Sequence, residues 1–201
     1  MGPRPIAMAA ALLDRFIPHP DVRERFEMTI HAPAAPVMQG AADFDMQSLP
    51  AVRAIIRLRE AMLGTKRDVP REPQGILQET ARLGWGVLEH QAGHYVVCGA
   101  RCEPWLADVV FSAIDADAFA SYAEPDQVKI AWTIEAEEGA DCVTRSAQET
   151  RAIATEAQAR SKFRRYWRWA RFGIVAIRLL LPAVKREAER RWAAEAGTGR
   201  A

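Results

Sequence analysis

Cysteine is scarce in this chain of 201 residues: there are three, an odd number. Cys98 and Cys102 stand four apart in a segment that reads as a strand. They share a face there but sit about 13 Å apart, at roughly 3.3 Å per residue, which is too far for a disulfide. A disulfide-stapled scaffold is excluded, and a reducing, cytoplasmic setting is expected. Long apolar runs are missing too. The most hydrophobic stretch, residues 172–184, is interrupted by Arg178 and Pro182, short of the roughly 20 residues that span a bilayer. Ile6 to Leu13 is apolar but short, lacks a clear small-residue cleavage site and runs into Asp14 and Arg15, so a secretory signal is not expected. Neither G-x-G-x-x-G nor a phosphate loop occurs, nor a G-x-S-x-G elbow. No cofactor is expected, and no catalytic residue is assigned.

What is present suits a packed interior. Apolar residues make up 49% and charged residues 26% of the chain, values ordinary for a globular domain. The length suits one large domain or two very small ones, and one core is the simpler reading. Net charge is only +1, yet it is unevenly spread. Between Ala157 and Glu195 there are 11 Lys or Arg against 3 acids, leaving −7 on the remainder. Such asymmetry can mark a nucleic-acid or membrane surface. A charged solvent face on a core helix gives the same count and is the simpler reading.

Val22 to His31 reads as a first strand, closed by Ala32 and Pro33. Ala34 to Phe44, with Pro36 in its first turn, and Leu49 to Leu63, bounded by Pro50 and Gly64, read as two helices. Thr65 to Pro73 is a charged, proline-bearing loop. Trp85 to His90 and His94 to Cys102 form a hairpin around Gln91, Ala92 and Gly93. Asp115 caps a brief helix reaching Tyr122. Val128, Ile130, Trp132 and Ile134 then alternate with Lys129, Thr133 and Glu135, which predicts a strand with its apolar row buried and its polar row wet. Val143 to Ala154 is a long polar strand. Thr155, with Gln158 three residues on, reads as the cap of a last helix whose stripe includes Ala159, Phe163, Tyr166, Trp167 and Ala170. A kink is expected near Gly173 and Pro182.

The order is strand, two short helices, a series of antiparallel strands and a long helix. It resembles the START-like, or helix-grip, superfamily of polyketide cyclases, aromatases and lipid-transfer proteins. The residues that carry the likeness are Ile30-His31-Ala32-Pro33, Tyr122-Ala123-Glu124-Pro125 with Lys129-Ile130-Ala131-Trp132, and Glu149-Thr150-Arg151 followed by Phe163-Arg164-Arg165-Tyr166-Trp167. The resemblance spans Asp21 to about Arg190. It implies an α+β fold in which a curved antiparallel sheet grips the C-terminal helix around a cavity for a hydrophobic or amphipathic ligand. Residues 1–20 would be an extension with a short helix, 21–195 the single domain and 196–201 a flexible tail.

Ligand-binding candidates follow from that architecture: Trp85, Val96, Cys98, Ile130, Trp132, Ile134, Glu149, Arg151, Phe163 and Trp167. The tryptophans could stack on a flat ligand or belong to the core. Glu149 and Arg151, two apart on one strand, share a face. On the concave side they would be a buried pair that must find each other or a polar ligand; outside they would be a ladder of surface charge. A cyclase-type enzyme would use Glu149, Arg151 and Thr133 for acid–base positioning. His90 and His94 flank the hairpin turn and could bind a metal only with a third ligand; two exposed polar residues are the simpler reading, and no metal is expected. The arginine-rich helix could touch a membrane peripherally or serve an interaction module, but its aromatics are better used against the sheet. The expected partner is therefore a small hydrophobic molecule rather than nucleic acid, with no oligomeric state implied.

Overall fold

The structure is a computed structural model that describes residues 13–44 and 75–198; within the last helix it leaves out the side chains of residues 169, 171–181, 183–184, 187 and 195–198. The expected helix Leu49 to Leu63 and loop Thr65 to Pro73 lie outside the described residues. The protein is α+β. Its elements are β1 (Val22–Ile30), α1 (Ala34–Ala42), α2 (Ile76–Arg82), β2 (Gly86–Gln91), β3 (Tyr95–Cys102), α3 (Ala116–Phe119), β4 (Val128–Glu138), β5 (Thr144–Ala154) and α4 (Ala157–Thr198).

The strands form one antiparallel sheet in the order β1-β5-β4-β3-β2. β2 and β3 are joined by a tight turn in which Gly93 takes φ +76°, a left-handed conformation that glycine adopts without steric cost. An irregularity between Val87 and Glu89 is the extra residue of a bulge and sends Leu88 inward, where it is buried. β1, first in sequence, pairs with β5, so that Arg23 stands opposite Arg151 and Arg25 opposite Glu149. That long-range pairing assembles the charged cluster described below.

Both faces of the sheet are covered. On one, Leu13, Phe16 and Ile17 pack with Leu88, Val97, Phe119 and Ala131 in a buried cluster. The described end of the expected extension is therefore core. Its apolar residues fall at i, i+3 and i+4 of a helical turn, the pattern of a buried helix face. Gly99 makes room there, since a Cβ would lie 2.5 Å from Leu88 Cδ1 and 2.6 Å from Phe119 Cε2.

On the other face, Ala159 and Phe163 of α4 pack with Val128, Ala152 and Ala154. Further along, Ala188 joins Ile30, Ala32, Ala34, Val37 and Ala136. Glu138 of β4 accepts a 3.2 Å hydrogen bond from Ala34 N, supplying from a distant strand a partner for the start of α1 that Pro33 does not.

Three local expectations are corrected. Thr155 does not cap α4: its hydroxyl donates to Gln127 O at 3.0 Å and accepts from Gln127 N at 3.2 Å, pinning the strand end instead. Asp115 occupies the cap position of α3 without a side-chain capping bond. The third correction concerns β4. Lys129, Thr133 and Glu135, the row expected to be wet, are buried, whereas Ile130, Trp132 and Ile134 are half-buried. Alternation reveals the period of a strand but not which side the rest of the chain covers; here residues 13–17 and α3 cover the polar row.

Candidate functional site

The two faces divide the candidate residues. Val96 and Cys98 on β3 stand opposite Ile134 and Trp132 on β4, and with Ile130 they occupy the α4 face. Trp85 joins them through its ring, 6.4 Å from that of Trp132 and 4.9 Å from that of Phe111. Phe163 and Trp167 approach from α4 with ring centroids 5.7 Å apart. Burial pushes the Cys98 thiol up to about 12, so it behaves as a small apolar group rather than a nucleophile.

Ile130, Phe163 and Trp167 line a cavity of about 190 Å³ between this face and α4. Its other walls are Val22, Glu24 and Phe26 of β1, Thr150 and Ala152 of β5, Cys102 at the end of β3, Pro104, Val109 and Phe111 beyond it, and Tyr166. Trp85, Val96, Cys98, Trp132 and Ile134 share the face but not the lining. Sequence reading missed the β1 wall, whereas Phe111 is one of the aromatic residues near the strands that could be expected at a cavity. Val22 and Phe26 do carry a period-2 signal, but nothing local shows that β1 pairs with β5.

Glu149 and Arg151 are on the opposite face, away from the cavity. Glu149 is 0% and Arg151 1% exposed, so the surface-ladder alternative does not hold. Arg151 Nε donates to Glu149 Oε1 at 2.6 Å, and its Nη1 to Ile17 O at 2.9 Å and to the carboxylate of Asp14. Arg23 Nε reaches Glu149 Oε1 at 2.9 Å, while Arg25 Nη1 donates to Glu149 Oε2 at 2.9 Å and to Glu135 Oε1 at 3.4 Å. Thr133 Oγ1 donates to Glu135 Oε1 at 2.8 Å and accepts from Glu149 N at 3.3 Å. Thr133, Glu149 and Arg151 thus do lie together, but as parts of a saturated network.

The two buried carboxylates respond to it differently. For Glu149, burial is the largest single influence and acts upward, but hydrogen bonds from Arg151, Arg23 and Arg25 together outweigh it and hold the group below the ordinary carboxylate value. For Glu135, burial prevails over Thr133 and Arg25, and the group is raised. Lys129 is buried with Nζ donating to Phe119 O at 3.0 Å and Ala120 O at 2.9 Å, which ties α3 to β4; burial lowers its pKa.

His90 and His94 are both exposed. Among the described residues no three or more His, Cys, Asp or Glu side chains are grouped to hold a metal ion, and no helix is long and apolar enough to cross a membrane. Arg164, Arg165 and Arg168 of α4 are exposed. No family model matches the chain, and no curated protein matches it.

Proposed function

We propose that this protein binds a small hydrophobic or amphipathic molecule between its sheet and its C-terminal helix, in the helix-grip manner that its sequence resembles. The observation that carries the reading is the cavity itself, walled by Phe26, Phe111, Ile130, Phe163, Tyr166 and Trp167. Binding sites are concave, mainly apolar and fitted with few polar groups, and this lining has that character. Its size favours one ring over a long acyl chain, since an engineered apolar cavity of about 150 Å³ takes up benzene.

The enzyme alternative draws no comparable support. Thr133, Glu149 and Arg151 face away from the cavity and engage one another. Native mass spectrometry of the purified protein tests the binding reading. A co-purifying compound of single-ring size, released on unfolding, is the expected result. A bare chain mass, together with failure to take up any added aromatic compound, would count against it.

A further inference from the structure

The α4 face of β5 carries polar side chains beside the cavity, and among the described residues one of their atoms has no hydrogen-bond partner. Among the described residues Gln148 Oε1 is buried without a hydrogen-bond partner, while its Nε2 donates to Thr150 Oγ1 at 3.3 Å. Thr150 lines the cavity. Across the β1–β5 pairing Gln148 stands opposite Phe26, and Thr150 opposite Glu24; Phe26 and Glu24 both line the cavity as well. Gln148 is thus one pleat beyond the lining and hydrogen-bonded to it.

Leaving a buried acceptor unsatisfied costs free energy that a donor would recover. Gln148 and Thr150, with Glu24 on the neighbouring strand, offer an amide oxygen and a carboxyl group as acceptors, and a Thr150 hydroxyl that already accepts from Gln148 Nε2 and keeps its own proton to donate. We infer that the ligand of this cavity carries a hydrogen-bond donor on its ring, a hydroxyl of the phenol type, which Gln148 Oε1 receives beside Thr150. This rests on the binding reading above and adds the chemical class of the ligand. A ring bearing only an acceptor would leave Gln148 Oε1 unsatisfied and meet Glu24 as a second acceptor.

Three ligands of nearly equal shape separate these cases: 4-methylphenol, p-xylene and 4-methylbenzonitrile, titrated calorimetrically into the full chain and into Gln148→Leu. In the natural chain 4-methylphenol should bind about three- to tenfold more tightly than p-xylene, the range expected for one net hydrogen bond, with the nitrile weakest. In Gln148→Leu that preference should vanish while p-xylene still binds, which also shows that the variant keeps its cavity. Equal binding of all three by the natural chain, a preference for the nitrile, or a phenol preference that survives in Gln148→Leu would overturn the inference and leave the cavity reading standing. Binding of none of the three would overturn both.

Discussion

Glu149 and Arg151, two residues apart on β5, meet at 2.6 Å where neither side chain is exposed. A buried ion pair of this kind contributes little against an apolar replacement of the whole pair, yet removal of one partner strands the other. The cluster therefore orders structure rather than ligand: through Arg151 it fixes Asp14 and Ile17, and through Arg23 and Arg25 it fixes β1.

Glu149→Gln should destabilise the protein by about 3 kcal/mol or more near neutral pH, because three arginines lose their shared charge. The group's folded pKa is depressed. Its contribution is thus present above the ordinary carboxylate range and lost as pH falls through the folded value. Urea unfolding at neutral pH and below pH 4 should show the gap between natural chain and variant narrowing on acidification. A constant gap would contradict this assignment.

Glu135→Gln should behave in the opposite sense. Burial raises this carboxyl, so its favourable contribution is complete below the ordinary value and is lost as pH rises through the raised one. The variant keeps a partner for Thr133, and Arg25 keeps Glu149 and Glu27. Its stability at pH 7 should lie within about 1 kcal/mol of the natural chain, equal or higher, and the natural chain should gain on it at acid pH. A large loss at pH 7 would contradict that.

Phe16→Ala should lower stability by about 3–5 kcal/mol, the range for truncating a buried phenylalanine. Phe16 meets Phe119 edge-on with ring centroids 5.8 Å apart in the cluster that covers Lys129, Thr133 and Glu135. A neutral result in thermal unfolding would mean that residues 13–17 are an appendage to the domain.

The strands were legible because their signals are local. β1, the β2–β3 hairpin and β5 lie within a residue of the expected spans, and β4 starts where expected and runs three residues further, to Glu138. Two things were not legible. Whether the row Lys129, Thr133, Glu135 faces water depends on what packs over it, α3 and residues 13–17, the latter more than a hundred positions earlier. That Glu149 would find Arg23 and Arg25 depends on the pairing of the first strand with the last. For the same reason the apolar candidates Ile130, Phe163 and Trp167 fell on the cavity, whereas the charged pair, chosen for its chemistry alone, fell on the other face.

The measurement that bears most directly on the account is an NMR titration of the full chain with p-xylene, followed at the Ile130 methyl groups and the Trp167 indole N–H. Saturable shifts at both, with little change at Asp14 or Arg151 across the sheet, are the expected result. Absence of any saturable shift, or shifts confined to the exposed side chains Val87, Leu106 and Val110, would contradict a binding site between the sheet and α4.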